Sequence, residues 1–229
     1  MSGGNSESVE MYLKTVAELG GDSAPAPIAR VAERMGVSPV SASEMMKRLG
    51  QQGMVEHLPY KGIRLTEDGL RLANSVIRRQ RLWEVFLVDH LKIDWAAAHE
   101  MACDLEHATS SIVTEALAEF LDQPSSCPHG NPIPPAKGQP VARTARPLTD
   151  VPVGQRAHVR AIAPENSEVL AYVAARGLVP GAEVTVREIA PLQGPLALTV
   201  GPRRVDLGLN LAELVLVETD DSIREHDNS

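Results

Sequence analysis

Four potential metal ligands lie close together in one segment of the chain: His99, Cys103, Glu106 and His107. Their spacing of i, i+4, i+7 and i+8 places them on one stripe of a helix with about 3.6 residues per turn. Thiolate, imidazole and carboxylate donors suit a first-row divalent metal such as Fe²⁺, Mn²⁺, Co²⁺, Ni²⁺ or Zn²⁺ better than Ca²⁺ or Mg²⁺, which take all-oxygen shells. One helix supplies only part of a coordination shell, so we expect further ligands from elsewhere in the chain.

Each of these residues also has an ordinary structural interpretation. A buried cysteine is common in protein cores, and a single histidine on a helix is usually a satisfied core or surface group. Cys127 and His129 stand one residue apart in a proline-rich segment. Two donors in such a segment are weak evidence for a second metal site, and we interpret this pair as structural.

Length and composition place limits on the class of protein. A chain of 229 residues suits two or three domains. No apolar run approaches the roughly 20 residues of a membrane span, and residues 1–7 have neither the positive nor the apolar region of a signal peptide. We therefore expect a cytoplasmic protein without a membrane partner, in which Cys103 and Cys127 are ligands or packed side chains rather than a disulfide.

The distribution of charge bears on nucleic-acid binding. The net charge is −8, made up of −1 over residues 1–75, −2 over residues 76–146 and −5 over residues 147–229. A nearly neutral first third can still bind DNA if its cations cluster on one face, but binding by general electrostatics alone would be weak. Any DNA affinity should therefore depend on something that organises or doubles the binding surface.

The first part of the chain predicts a winged helix-turn-helix over residues 1–74. Amphipathic patterns predict helices over 7–19, 27–36 and 39–53, the last with Ser38 as N-cap and Pro39 in its first turn. Residues 54–66 then read as strand, turn and strand with a basic tip. A helical hairpin followed by a β-ribbon is typical of proteins that read double-stranded DNA.

The rest of the chain predicts a helical domain and a small β domain, so the fold class is mainly α. Long helical patterns at 69–90, from 94 and at 108–121 indicate a helical dimerisation and metal-binding domain over 75–141, and homodimerisation suits a DNA reader with two half-sites. A proline-rich exit and linker follow. The alternating pattern of domain 148–219 predicts a small β-barrel, and the charged residues 220–229 predict a disordered tail. The predicted strands are His158–Ala163, Glu183–Glu188, Leu196–Val200 and Leu214–Val217, with a helix over 167–176.

The motifs together resemble the diphtheria-toxin-repressor family of metal-dependent (iron/manganese) transcriptional regulators, over essentially the whole chain. The last domain is similar to the SH3-like barrel found in that family and in accessory proteins of ferrous-iron transport. The motifs that carry the resemblance are Glu10-Met11-Tyr12-Leu13, Ser38-Pro39-Val40-Ser41, His99-x₃-Cys103-x₂-Glu106-His107 and Gly130-Asn131-Pro132-Ile133-Pro134.

The resemblance implies a repressor that binds operator DNA as a dimer when loaded with Fe²⁺ or Mn²⁺, with two dimers on one operator as a further option. Such a protein controls genes of metal uptake and homeostasis. The resemblance also implies a primary metal site of Met11, Cys103, Glu106 and His107. Coordination by Met11 would tie the N-terminal helix to the dimerisation domain and fix the spacing of the two DNA-reading heads.

An ancillary metal site is also implied. Glu84 and His99 match the family pattern, whereas Gln80 stands where a histidine is expected, and Glu165 and Glu168 are the candidate ligands from the last domain. Glutamine is a poor ligand for a soft divalent ion, so this site is either weakened or rebuilt with a harder donor set that tolerates Mn²⁺.

On the DNA side, the resemblance places small residues in the major groove. Few bidentate base contacts are then available, so specificity would depend on contacts with thymine methyl groups and on DNA shape. The groove residues are Ser38, Pro39, Ser41 and Ser43, and the candidate phosphate contacts are Arg30, Lys47, Arg48, Lys61 and Arg64.

Two other functions compete with this interpretation. A metalloenzyme would need a substrate pocket and an acid or base near the metal, but the chain contains no His-Glu-x-x-His motif, Gly-rich phosphate loop or nucleophile elbow. We therefore expect no enzymatic activity. The second alternative is a winged-helix regulator that responds to a signal other than metal, with a purely structural ligand stripe.

Overall fold

The computed structural model describes residues 7–136, 145–163, 166–191 and 194–219. These residues form two compact units. The predicted tail over 220–229, the middle of the linker and the candidate ligand Glu165 lie outside the described residues. The first unit contains the chain up to Trp83, Asp104–Gln123 and the segment from Ile133, and the second contains Glu84–Cys103, Pro124–Pro132 and the chain from Val141.

The first unit begins with three helices, α1 (Glu7–Glu18), α2 (Ile28–Met35) and α3 (Pro39–Gln51). Helix α2 ends at Gly36, which adopts a left-handed φ of 64° and donates its N–H to the last turn of the helix. Helix α3 is capped by Ser38, whose hydroxyl accepts from the backbone N–H of Ser41, and Pro39 follows as the first helical residue. The predicted helix-turn-helix is confirmed.

An antiparallel hairpin of β1 (Val55–Leu58) and β2 (Gly62–Leu65) forms the wing. The hairpin is fastened to the segment before α2, because Ala26 and Ile63 exchange two backbone hydrogen bonds of 2.8 and 2.9 Å. Gly62 has a φ of 124°, and a Cβ at this position would lie 2.3 Å from the Ala26 carbonyl oxygen. Only glycine therefore permits this close approach of two backbones.

Three more helices follow, α4 (Glu67–Val85), α5 (Ala97–Ala108) and α6 (Ser111–Phe120). The pattern that predicted one helix to residue 90 includes a π-helical turn at Phe86–His90. Helix α5 begins three residues later than predicted, because the Asp94 carboxylate accepts from the N–H groups at 96 and 97 and caps the helix from outside. Among the described residues, no helix is both long and apolar enough to cross a membrane.

The second unit contains a six-stranded antiparallel sheet made of β3 (Arg146–Pro147), β4 (Arg156–Ile162), β5 (Glu183–Ile189), β6 (Leu196–Val200), β7 (Arg203–Leu207) and β8 (Val215–Thr219). The strand order is β3-β8-β4-β5-β6-β7. The sequence predicted β4, β5, β6 and β8 but not the outer strands β3 and β7. These two are not paired with each other in the described parts of the chain, so the predicted β-barrel is an open SH3-like sheet here.

Two short helices, α7 (Ser167–Ala174) and α8 (Leu209–Ala212), complete the second unit. Its core is built from inward-facing strand residues such as Ile162 and Leu198, both nearly inaccessible to solvent. Ala96 is buried in the same cluster, and Trp95 packs against it. The segment between α4 and α5 is therefore part of the hydrophobic core of the sheet domain.

Candidate metal centre and DNA-binding surface

A fully buried carboxylate, Glu84, lies between two imidazoles in the second unit. Its Oε1 is 2.9 Å from Nδ1 of His99, and its Oε2 is 3.2 Å from Nδ1 of His129. One donor atom from each of the three residues lies within 4.8 Å of the others. Glu84 comes from the end of α4, His99 from the first turn of α5 and His129 from the proline-rich segment, so three separated parts of the chain form one cluster.

A tight loop over residues 126–132 positions His129. The N–H of Cys127 donates to the Asn131 carbonyl at 2.9 Å and closes the loop, with His129 near its tip. Strand β4 holds the loop from outside, because the Ile162 N–H donates to the His129 carbonyl at 3.0 Å and the Asn131 amide donates to the Ile162 carbonyl at 2.7 Å. Gly130 allows this approach with a φ of +84°.

Trp95 fixes the orientation of the His129 ring. Its indole N–H donates to the Pro128 carbonyl at 3.1 Å, and its own carbonyl oxygen lies 2.9 Å from His129 Nε2. A carbonyl can only accept, so Nε2 carries a proton. Nδ1 then donates to Glu84 when the ring is doubly protonated, and offers its lone pair to a metal when the ring is neutral. Histidines that bind metals are commonly held through the other ring nitrogen in this way.

Without a metal, the electrostatics of the cluster favour a negative charge on Glu84 and a positive charge on His99. Burial by itself raises the pKa of the Glu84 carboxyl, but hydrogen bonds from His129 and His99 and their positive charges hold that pKa well below its usual range. Burial lowers the pKa of His99, yet hydrogen bonds to Cys103 and Glu84 and the charges of those groups raise it to about 10. At neutral pH Glu84 is therefore ionised and His99 is protonated.

Both thiols of the chain lie beside this cluster. The Cys103 sulfur is 4.0 Å from Nε2 of His99, and the Cys127 sulfur is 3.8 Å from Nδ1 of His129. Two imidazoles, a carboxylate and nearby thiols are a mixed donor set of the kind that binds Fe²⁺, Mn²⁺ or Zn²⁺. The residues present therefore fit a divalent transition metal.

The structure brings together only part of the ancillary set predicted from the sequence. Glu84 and His99 meet, and Gln80 is buried one turn before Glu84 on α4. Glu168 is exposed in the first turn of α7 and is not among the described residues that form the cluster. His129, which sequence reasoning interpreted as structural, takes part instead. The spacing of Cys127 and His129 was the available sequence signal for His129. It indicates a ligand only once the long-range contact between His129 and Glu84 is known.

The predicted primary ligands are divided between the two units. Cys103, Glu106 and His107 lie on α5, with Cys103 at the end of the second unit and the other two in the first. Met11 is half-buried on α1. His107 Nε2 is 3.7 Å from Glu106 Oε1, and the buried Nδ1 of His107 has no hydrogen-bond partner among the described residues.

The Glu106 carboxylate has a cationic partner that the sequence analysis did not anticipate. Lys14 on α1 donates to both carboxylate oxygens, at 2.9 and 3.1 Å, and both side chains are almost completely buried. Burial raises the pKa of Glu106 to about 7, although the charge and hydrogen bonds of Lys14 oppose the rise. Arg79 also donates to the Glu106 carbonyl and to the Glu10 carboxylate of α1, at 3.0 and 2.7 Å.

The predicted DNA contacts lie on the surface of the winged helix. All of the predicted groove residues are exposed at the start of α3, together with Val40, which is 68% exposed. The predicted phosphate contacts are exposed except Arg64, which is half-buried on β2. Arg30 also lies 3.7 Å from Glu33 in an exposed ion pair. The structure thus presents a helix with small side chains beside a wing with a cationic tip.

Family models match almost the whole chain in three consecutive parts. Residues 5–63 match "Iron dependent repressor, N-terminal DNA binding domain". Residues 66–135 match "Iron dependent repressor, metal binding and dimerisation domain", and residues 146–219 match the FeoA domain. These matches bear out a DNA-binding region, a metal-binding and dimerisation region and a FeoA-like last domain.

Individual relatives extend the likeness over full length. The iron-dependent repressor IdeR of Mycobacterium tuberculosis is 32% identical, with 93% of this chain and 97% of the relative covered. The diphtheria toxin repressor of Corynebacterium efficiens is 31% identical, with 95% and 97% covered. A solved manganese-dependent transcriptional repressor in complex with manganese has a TM-score of 0.83 and 32% identity, with 92% and 99% covered. The chain belongs to the diphtheria-toxin-repressor family of metal-dependent transcriptional regulators, which bind DNA and are not enzymes.

Proposed function

We propose that this protein is a metal-activated transcriptional repressor that binds operator DNA as a homodimer when loaded with Fe²⁺ or Mn²⁺. The observation that carries the proposal is the buried Glu84–His99–His129 cluster, in a chain whose N-terminal part is a winged helix. The target genes would be those of metal uptake and homeostasis. The protein would act in the cytoplasm together with the DNA that it binds.

The ancillary site is proposed to have Glu84, His99 and His129 as its core. The ion would supply a fixed positive charge, in place of the proton that His99 holds in the metal-free protein. Gln80, Glu165 and Glu168 remain predictions as additional ligands. The donor chemistry fits Fe²⁺ and Mn²⁺, with Co²⁺, Ni²⁺, Zn²⁺ and Cd²⁺ as surrogates.

The primary site is proposed to use Met11, Cys103, Glu106 and His107. Two features support this set: the buried Nδ1 of His107 has no partner in the described part of the chain, and Nε2 of the same ring lies 3.7 Å from the Glu106 carboxylate. Met11 lies on α1, three residues before Lys14, so the two side chains share a face of the helix. Ligation by Met11 would connect the DNA-binding domain to the dimerisation domain.

The DNA-reading surface is proposed to be the exposed N-terminal half of α3, with Ser38, Pro39, Ser41 and Ser43 in the major groove. Val40 is apolar and exposed between them, as expected for contact with thymine methyl groups. Phosphate contacts would come from Arg30, Lys47, Arg48, Lys61 and Arg64. We retain the division into domains 1–74, 75–141 and 148–219 as part of this proposal.

The homodimer is proposed to use an apolar stripe on α6. Ile112 and Phe120 are 81% and 62% exposed, and with Ala116 they recur every four residues along the helix. Such an uncovered stripe on a helix of a dimerisation domain is suited to packing against the same stripe of a second copy. Binding of two such dimers to one operator is a further part of the proposal.

The test is a DNA-binding titration of chelator-treated protein with its own promoter fragment, adding Mn²⁺ and Fe²⁺ separately under anaerobic conditions. Binding that requires metal is expected, and the more effective ion at cell-like free concentrations identifies the signal. Glu84→Gln and His129→Ala should raise the metal concentration needed, whereas His90→Ala, which removes an exposed imidazole outside the cluster, should not. Equal DNA binding in chelator would instead support a regulator that responds to a signal other than metal.

A further inference from the structure

The ion pair between Lys14 and Glu106 is unusual because both partners are buried. Lys14 is 4% exposed and Glu106 is inaccessible to solvent. The Lys14 ammonium donates to both oxygens of the carboxylate, so the two charges compensate each other directly. A buried lysine or glutamate is rarely tolerated without such a partner.

The ammonium occupies the oxygens that a metal would need. Glu106 is one of the proposed primary ligands, and its Oε1 faces both Lys14 Nζ, at 2.9 Å, and His107 Nε2, at 3.7 Å. A carboxylate ligand must offer at least one oxygen lone pair to the ion, and two cations cannot share that position without strong repulsion. Lys14 and a divalent ion therefore compete for the same carboxylate.

We propose that Lys14 is an internal competitor for the primary metal site. It binds Glu106 in the metal-free protein and must leave when Glu106 becomes a ligand, so it sets the metal concentration at which the site fills. This inference rests on the proposed role of Glu106 as a ligand. Lys14 is a positioning residue in this scheme, because it contacts a ligand rather than the metal.

The same helix provides acceptors for the released ammonium. Glu10 and Glu18 stand four residues before and after Lys14, so their side chains lie on the same face of α1. Glu10 already accepts from Arg79 at 2.7 Å, and Glu18 lies 3.6 Å from Arg34. A carboxylate can accept several hydrogen bonds, so either residue can take the lysine without leaving a buried charge unpaired.

The metal-free state also acquires a specific property from this pair. Lys14 joins α1 to α5 through Glu106, and Arg79 joins α4 to both helices through Glu10 and the Glu106 carbonyl. Helix α1 is thus held in place without a metal. On metal binding, the ion pair of Lys14 and Glu106 between α1 and α5 would be replaced by coordination of Met11 and Glu106 to the same ion.

The first test compares Lys14→Met with Lys14→Arg. Methionine keeps the length of the side chain without the charge, whereas arginine keeps the charge and can bind the carboxylate through two hydrogen bonds. We expect Lys14→Met to bind Mn²⁺ about tenfold to a hundredfold more tightly in a chelator competition, which is the range of a charged hydrogen-bonded pair. Its metal-free form should also melt at a lower temperature than the wild type and gain more from added Mn²⁺. Lys14→Arg should bind no more tightly than the wild type.

Glu106→Gln distinguishes a wrong primary site from a wrong role of Lys14. If it keeps wild-type Mn²⁺ affinity, Glu106 is not a ligand and the proposed primary site is wrong. If it loses affinity while Lys14→Met binds Mn²⁺ as the wild type does, the primary site stands and the competition by Lys14 is refuted.

A measurement on the unmodified protein avoids any folding defect of the variants. Mass spectrometry follows the rate at which an amine-reactive reagent labels Lys14, with and without saturating Mn²⁺. We expect Lys14 to be labelled slowly in the metal-free protein and at least several times faster in the Mn²⁺-loaded protein. The exposed Lys47 should be labelled at the same rate in both states. Unchanged protection of Lys14 in the loaded protein would overturn the proposal.

Discussion

Replacing Gly130 by alanine should weaken metal binding without removing any ligand. A Cβ at this position would lie 1.8 Å from the Arg160 carbonyl oxygen and 2.9 Å from the Ala161 Cα, both backbone atoms of β4. The first contact must open by about 1.2 Å to reach the 3.0 Å below which real Cβ contacts are essentially absent. Because His129 immediately precedes Gly130 in the loop, a displacement of this size moves one member of the Glu84 cluster.

The magnitude follows from two separable costs. An alanine at a φ of +84° costs about 1–2 kcal/mol, and a backbone clash of the overpacking kind adds about 1–3 kcal/mol. Gly181 is a matched control in the same unit, because its φ is +88° and no neighbouring heavy atom lies within 4 Å of its Cβ position. Gly181→Ala should therefore lose only the first amount of stability.

Two assays distinguish the variants. Urea unfolding of the metal-free proteins should show Gly130→Ala to be less stable than Gly181→Ala by about 1–3 kcal/mol. In competition with a chromophoric chelator, Gly130→Ala should lower the Co²⁺ or Mn²⁺ affinity of the Glu84 cluster about tenfold or more. This is the effect expected when the residues that support a ligand are disturbed. Gly181→Ala should leave the affinity unchanged. Equal stability and equal metal affinity of the two variants would refute the assigned role of the loop.

Three further predictions concern pH, assembly and DNA binding. The pKa of His99 is about 10 in the folded protein, above its unfolded value of 6.5, and the pKa of Glu84 is lowered from 4.5. The ion pair between them therefore stabilises the metal-free protein fully between about pH 4.5 and 6.5. This stabilisation is lost as the pH rises from 6.5 toward 10. In urea unfolding, the stability difference between wild type and His99→Gln should shrink over that upper interval, and a constant difference would contradict the pair. Ile112→Asp should convert the homodimer to monomers in light scattering, because it puts a charge in the apolar stripe of α6 that is proposed as the dimer interface. An unchanged mass would mean that the interface lies elsewhere. Lys47→Ala should weaken operator binding and reduce the salt dependence by about one phosphate contact, whereas exposed Arg203→Ala in the sheet domain should change neither.

The local signals in the sequence predicted the DNA-binding domain closely. Ser38 as a cap, Pro39 in the first helical turn and Gly36 as a helix end each act through neighbouring backbone groups, so a single sequence contains the information. The edge strands of the sheet lacked such signals. Strand β7 has the sequence Arg-Arg-Val-Asp-Leu with only two buried positions, and β3 has two residues.

The parts of the proposed metal sites that the sequence did not reveal depend on long-range contacts. Glu84 and His129 are 45 residues apart, and Lys14 and Glu106 are 92 residues apart. Helical spacing can align side chains on one helix, but it cannot show which distant side chain packs against them. The interpretation of His129 as structural followed from its proline-rich neighbourhood, whereas its environment is determined by β4 and Trp95.

The attachment of the 126–132 loop to β4 also determines when the metal cluster can form during synthesis. The backbone of Ile162 holds both His129 and Asn131, and β4 is itself flanked by β8, which ends at Thr219. A nascent chain that has released only its helices therefore lacks the strand that holds His129, the third proposed ligand. Contacts so distant in sequence form late in folding, after the local helices. We expect a newly made repressor to acquire full metal sensitivity only after its last strand has left the ribosome, so premature termination within the final domain would produce a DNA-binding protein with an impaired metal response.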